Sequence, residues 1–509
     1  MSTSQDAATS SLDRSFFGHP RGLSTLFFTE MWERFSYYGM RAILLLYMTK
    51  TFAEGGLGFD EKYAGLIYGT YVSSVWYLPL PGGWLADRIL GARRAVLIGA
   101  IIIACGHYSL AINSKLTFFG GLILIACGTG LLKPNISAMV GQLYSEEDKR
   151  RDSGFSIFYT GINLGAFLAP LVVGFLAQSQ SFKNVIASLG LDPNSSWHWG
   201  FGAAGVGMTL GIIQYVLGQK RLAGVGGKPD IPAPTAEGSA GDRFDYLTLA
   251  LALIGGAAGA VLGKIYGEGW PLSALFPTVV GFFFGYLLGI IRHLKGEEFR
   301  RVIVIFILFV FSILFWMTYE QAGSSLTLFA DRLTKTTILG WTYPSSWFQS
   351  VPALFVIIFA SIIGAVWLKL GDRQPSSPGK FTIGLFFAGI AFVVIAFAAT
   401  LASGGRVSPM WLVLVYFLQT IGELCLSPVG LSTVTKLSPG RMVGLMLGVW
   451  FLSISIGSYI AGLATGLFAG NDNSALTRGF GIFAGITLVA AIILAVLTPL
   501  IKRMTPRAQ

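Results

Sequence analysis

Charge is what this 509-residue chain has least of: 12% of its residues are Asp, Glu, Lys or Arg, against 53% hydrophobic. A water-soluble domain carries about 25% charged residues, so an ordinary soluble or disordered protein is excluded. Cysteine is scarce too. Cys105, Cys127 and Cys425 all lie within apolar runs, where a free thiol acts as a small hydrophobe, and neither a disulfide framework nor a metal site is implied. His19, His107, His198 and His293 stand singly, which again argues against bound metal. No glycine-rich phosphate loop followed by lysine occurs, so direct use of nucleotide energy has no sequence support. No set of nucleophile, base and orienting group is visible, and an enzyme is not expected. The first 20 residues are polar, carry Asp13 and Arg14, and lack a short apolar core; a removable signal peptide is not expected.

What the chain has instead is long apolar runs. Ala95 to Ala111, Val302 to Phe315 and Val351 to Trp367 are almost free of charge, over most of the roughly 20 residues that span a bilayer core. Backbone amides in lipid must be satisfied within the segment, so such runs are helical, and the absence of strand-like alternation excludes a membrane barrel. Runs separated by Gly, Pro or charge clusters number about fourteen. The net charge of +11 is spread through short inter-helix loops rather than gathered on one domain. It therefore orients the protein in the membrane rather than binding nucleic acid. With both termini cytoplasmic, the basic clusters at Arg93 and Arg94, at Lys149 to Arg151 and at Arg300 and Arg301 fall inside.

A stretch rich in Gly, Pro and Ala divides the chain near its middle, and reads as a flexible linker. The predicted plan is a cytoplasmic tail over 1–22, six helices over 23–222, a linker over 223–245, a helix pair over 246–294, six helices over 295–502 and a tail over 503–509. A substrate path runs between the two six-helix groups. The middle pair holds almost no ionisable residue except Lys264 and is expected to be peripheral.

The first span breaks the apolar rule. Glu30, Glu33, Arg34, Tyr37, Tyr38 and Arg41 recur at the spacing that puts them on one helix face, and that stripe is expected to face a cavity. Both carboxylates can reach Arg34, and a carboxylate shared with an arginine changes protonation as the pair is made or broken, which suits a proton carrier. The competing expectation is an inert buried ion cluster. Further in-membrane charges are Lys133, Glu320 and Glu423, and helix breaks at Gly130 to Asn135 and Gly422 to Pro428 coincide with two of them. Cations (Arg34, Arg41, Lys133) and an anion (Glu423) from different halves would fit the two ends of a zwitterion. The alternative is that Lys133 pairs permanently with a first-span glutamate and local hydroxyls hold Glu423. Among the many aromatics, Tyr37, Tyr38, Tyr71, Tyr159, Trp316 and Trp450 lie one or two helical turns from charges.

Glu30 to Gly39 matches ExxERFxYYG, and with it the chain resembles the proton-dependent oligopeptide transporter family of the major facilitator superfamily, in its bacterial branch. Asp152 to Gly165 resembles that family's fifth-helix signature, Gly422 to Gly430 its tenth-helix signature, and Gly83 to Arg94 the superfamily's loop between helices two and three. The matches reach both halves. The resemblance implies an all-α major facilitator fold, two six-helix bundles plus two inserted helices, in the bacterial inner membrane; a monomer is the default expectation. It implies a symporter for di- and tripeptides driven by protons, with no other cofactor. It assigns proton coupling to Glu30, Glu33 and Arg34, and peptide carboxylate recognition to Arg41 and Lys133. Glu423 and Asn163 would bind the peptide amino group and backbone, and Glu320 would pair with Arg41 at the periplasmic gate until protonated. Tyr37, Tyr38, Tyr71, Trp316, Ser427, Trp450 and Phe451 match pocket positions. One departure stands out: Phe348-Gln349-Ser350-Val351-Pro352-Ala353 has no asparagine where many members have Asn-Pro. A symporter for nitrate or a drug-like solute is the runner-up, and a membrane sensor without transport is a third reading.

Overall fold

The computed structural model describes residues 13–145, 147–222, 224–227, 245–266, 273–468 and 473–504, and they are helical almost throughout. The first half contributes α1 (Arg21–Thr49), α2 (Glu61–Tyr77), the short α3 (Pro79–Leu85), α4 (Ala92–Leu110), α5 (Lys115–Gln142), α6 (Arg151–Gln178), the short α7 (Gln180–Ser188) and α8 (Ser196–Gly218). After α9 (Tyr246–Tyr266) and α10 (Leu275–Ile291) come α11 (Gly296–Tyr319), the short α12 (Ser325–Leu333), α13 (Val351–Leu370), α14 (Ser377–Leu401), α15 (Met410–Leu437), α16 (Val443–Leu463) and α17 (Asn473–Met504). Eleven helices among the described residues are long and apolar enough to cross a membrane, and the protein is a multi-pass membrane protein. Helix α1 spans 29 residues but carries the charges of its stripe, and α2 and α10 are 17 residues each. Of the expected linker, residues 223 and 228–244 lie outside the described residues, as do 1–12 and 505–509 of the expected tails.

Local chemistry sets these boundaries. Asp60 caps α2 by accepting from Tyr63 N at 2.9 Å, satisfying one of the helix's orphan donors. Pro79 opens α3, where its missing N–H costs nothing. Prolines inside helices, Pro134 in α5, Pro170 in α6 and Pro428 in α15, each free a carbonyl one turn back. One feature has no counterpart in the all-helical expectation. Between α12 and α13 the chain forms a two-stranded antiparallel hairpin, Thr337–Ile338 with Trp341–Thr342. Its turn puts Leu339 and Gly340 at φ of 50° and 82°, the left-handed pair a tight hairpin uses.

The buried apolar side chains separate along the chain. One cluster is drawn almost wholly from residues between Leu23 and Val225, and two others from residues between Leu287 and Ile501. Helix α1 packs on α6 and α8, α14 on α15 and α17, and α11 on α16. The halves meet where α2 crosses α16 and α6 meets α13. At the first crossing a Cβ on Gly69 would lie 2.9 Å from Gly462 Cα, and Ser455 Oγ donates to Ser73 O at 2.8 Å.

Polar ties between the halves gather at the end where α1 and α6 finish. Lys50 pairs with Asp331 at 3.0 Å and Arg332 with Glu61 at 2.5 Å. Gln178 Nε2 donates to Ser345 Oγ at 3.0 Å, and Ser350 Oγ donates to Phe167 O at 2.7 Å.

Helices α9 and α10 form a hairpin held by facing glycine stripes at a spacing of four, Gly255, Gly259 and Gly263 against Gly281, Gly285 and Gly289. A Cβ on Gly259 would lie 1.9 Å from Pro277 O, and one on Gly285 2.0 Å from Leu251 O. Small residues at this spacing let membrane helices touch backbone to backbone. The pair is not wholly peripheral. Phe276 is buried between Tyr77 of α2 and Tyr459 of α16, at ring-centre distances of 5.7 and 4.6 Å. Gly259→Ala should destabilise the purified protein by about 1–3 kcal/mol. Gly256→Ala, whose Cβ meets nothing nearer than Phe282 Cβ at 3.4 Å, should be neutral. Paired thermal melts check this.

Candidate functional site

The stripe on α1 lies inside the protein. Glu30 and Glu33 both bond the Nε of Arg34, the Glu30 contact being 3.1 Å, with side-chain exposures of 3%, 0% and 4%. Such burial is tolerable in hydrocarbon only because the charges are paired. The pairing is nevertheless incomplete. Glu30 Oε2, Glu33 Oε1 and Arg34 Nη2 are buried without hydrogen-bond partners, a condition that structural ion pairs avoid. The Arg34 guanidinium also lies 5.3 Å from the centre of the Tyr37 ring.

Lys133 extends from α5 one residue before Pro134. Its Nζ is buried, has no hydrogen-bond partner, and sits 3.3 Å from the centre of the Trp76 ring. Trp76 stacks in turn on Phe451 of α16, at 6.3 Å and 15°. Among the described residues no carboxylate is within ion-pair distance of Lys133, so the expected alternative of a permanent pair with a first-span glutamate is not what forms. A π face attracts an ammonium but neutralises no charge.

The third grouping joins the halves. Arg41, one helical turn past Tyr37 on α1, forms an ion pair with Glu320 in the 3₁₀ turn Glu320–Gly323 that follows α11, and its Nε donates to Tyr68 Oη at 2.6 Å. Glu423 of α15 accepts from Tyr319 Oη at 2.6 Å, the local-hydroxyl arrangement that stood as the alternative to an unpaired carboxylate. Tyr319 lies edge-on to Trp316 at 5.3 Å.

The remaining expected residues divide. Tyr37 lies 5.0 Å from Tyr38 and 6.5 Å from Tyr71, and the hydroxyls of Tyr37 and Tyr71 are buried and unpartnered. Trp450 packs on Phe381 at 6.0 Å, with its ring end against Gly430. Asn163 turns its amide to Tyr159 O of its own helix at 3.0 Å. Ser427 is half-buried on α15. Pro352, in place of the asparagine, occupies the first turn of α13, and the preceding Gln349 donates to Thr327 Oγ1 at 2.9 Å.

Three contributors escaped the sequence reading: Tyr68 beside Arg41, Trp76 under Lys133 and Tyr319 on Glu423. Tyr68 and Trp76 lie on α2, whose sequence Tyr63 to Trp76 holds no charge to draw attention to it. Together the groups can hold protons on several carboxylates and present cations from the first half opposite carboxylates from the second.

The profile of the POT family matches residues 93–483. The peptide transporter YePEPT of Yersinia enterocolitica is 39% identical over 518 residues, covering 97% of each chain. The di-/tripeptide transporter of Lactococcus lactis subsp. cremoris is 36% identical over 510 residues, covering 97% of this chain and 98% of its own. A crystal structure of a peptide transporter POT in complex with sulfate superposes with a TM-score of 0.82 at 42% identity, over 98% of this chain and 99% of its own. The chain belongs to the POT family of transporters.

Proposed function

We propose that this protein imports di- and tripeptides together with protons, by alternating access, driven by the proton gradient and the membrane potential. The observation that carries the reading is the constellation of charges itself. Buried Arg34 and Arg41 and half-buried Lys133 come from one half, and buried Glu320 and half-buried Glu423 from the other, and the Lys133 ammonium, itself buried, has no hydrogen-bonding partner of its own. A zwitterionic backbone supplies what that arrangement lacks: a carboxylate for Lys133, or for Arg41 once Glu320 releases it, and an ammonium for Glu423. The aromatic walls at Tyr37, Tyr38, Tyr71, Trp316, Trp450 and Phe451 offer apolar area to varied side chains at little rotamer cost. Asn163 and Ser427 add polar contacts to the peptide backbone.

In this reading α1, α2 and α10 join the eleven long apolar helices to make fourteen spans. They form two six-helix bundles, over 23–222 and 295–502, with the α9–α10 hairpin inserted through the linker at 223–245. Both termini lie in the cytoplasm and the protein works as a monomer in the inner membrane. The end tied by Lys50 to Asp331 and Arg332 to Glu61 is then periplasmic, and the structure corresponds to a state closed on that side.

The proton step follows from the ion pairs. Protonating Glu320 removes the charge that holds Arg41, which loosens the periplasmic tie and frees the guanidinium for a peptide carboxylate. Glu30 or Glu33 carries the transported proton beside Arg34, because neutralising either carboxylate leaves the other to hold the guanidinium.

Glu33→Gln should abolish proton-driven accumulation and leave peptide counterflow measurable in proteoliposomes. Lys133→Ala should weaken peptide binding by about 1.5–3 kcal/mol, a loss of roughly 10–100-fold, read by competition against a labelled dipeptide. Glu320→Gln should loosen the periplasmic end. In a Gln178→Cys, Ser345→Cys background, whose parent side chains sit 3.0 Å apart, disulfide formation should fall when Glu320 is changed.

A further inference from the structure

On the opposite side of α1 from its charges, the protein carries an apolar groove of about 950 Å³ that belongs to none of the groupings above. It runs between α1, α4, α6 and α8, with Trp32, Phe35, Val172, Trp199, Val206 and Leu210 among its walls. Three features define its occupant. The four helices include three that are long and apolar enough to cross a membrane, and Val172, Val206 and Leu210 are 44%, 51% and 41% exposed. The groove therefore opens on the surface that lipid covers. Its lining includes no Asp, Glu, Lys or Arg, and between the helices its walls are mainly aliphatic and aromatic, so that stretch would hold neither a charged solute nor a column of water. The Tyr108 hydroxyl in its wall is taken up by Thr209 Oγ1 at 2.8 Å, and its other polar residues, Asn113, Ser195 and His198, collect where α4 has just ended and α8 begins, at the membrane boundary. There His198 Nδ1 donates to Leu110 O at 3.2 Å, which leaves Nε2 available to a headgroup. A volume near the top of the roughly 300–1,000 Å³ range of small-molecule sites suits acyl chains.

We infer that this groove is a binding site for the acyl chains of a zwitterionic phospholipid, whose headgroup rests at Asn113, Ser195 and His198. Because Trp32 and Phe35 are neighbours of Glu33 and Arg34 on α1, the lipid packs against the back of the helix that bears the ion pairs. The site is independent of whether the transported solute is a peptide.

The test uses the full-length protein in nanodiscs containing phosphatidylethanolamine with a diazirine in one acyl chain, followed by peptide mapping of the photoadducts. Adducts should concentrate on residues 165–176 and 199–210, above the level on the lipid-facing α13, whose spanning window is only 11% buried. Gly202→Trp fills the groove, since a Cβ at Gly202 meets only Ala111 Cβ at 3.7 Å. That variant should lose the concentrated adducts and keep those on α13. If Gly202→Trp does not fold, Val206→Trp occupies the same space. Even labelling across all lipid-facing helices, or concentrated labelling that survives a folded groove-filling variant, overturns the assignment. So does cross-linking between two copies of the chain at this groove.

Discussion

The cost of keeping an ionised side chain out of water governs this protein. Each such group within a bilayer costs several kcal/mol unless paired or hydrated, yet α1 alone buries Glu30, Glu33, Arg34 and Arg41. The fold meets that cost by pairing within the helix at Arg34 and between the halves at Arg41 and Glu320. Removing one partner of a buried pair costs about 3–5 kcal/mol, because the other charge is stranded. A proton arriving on the carboxylate does the same thing reversibly. The pairing that makes the halves cohere is therefore also what a proton can undo.

The rest of the architecture serves that constraint. Interior prolines at 134 and 428 place breaks beside Lys133 and Glu423, so the ionisable residues sit where backbone carbonyls are free to share their solvation. Aromatic side chains supplement the pairing at Arg41 and stand in its place at Lys133 and Glu423. Trp76 supports Lys133, Tyr68 supports Arg41 and Tyr319 supports Glu423. None of these rings discharges its partner. Polar ties between the halves gather at one end and glycines line the crossing of α2 with α16, a pairing of latch and close-packed pivot that suits rocking of one half on the other.

Much of this was legible in the sequence. The α1 stripe could be read because helical periodicity turns six positions into one face, and because charge in an apolar run has few explanations. That Arg41 meets Glu320, 279 positions away, came only from family resemblance, since no local pattern encodes a contact between halves. The support by Tyr68, Trp76 and Tyr319 was invisible for the same reason. The glycine stripes of α9 and α10 were on the page at a spacing of four, but glycine is so common here, with 65 in the chain, that its periodicity is submerged. The hairpin at Thr337 to Thr342 was hidden by its brevity, with two residues per strand.

The central claim is that buried, proton-sensitive ion pairs couple peptide movement to proton movement. Uptake of labelled dialanine into liposomes holding the purified protein, under an inward proton gradient and a negative interior, tests it most directly. The account predicts accumulation above the external concentration that collapses when a protonophore is added. Accumulation indifferent to the protonophore, or none from protein that is folded and inserted, would contradict it.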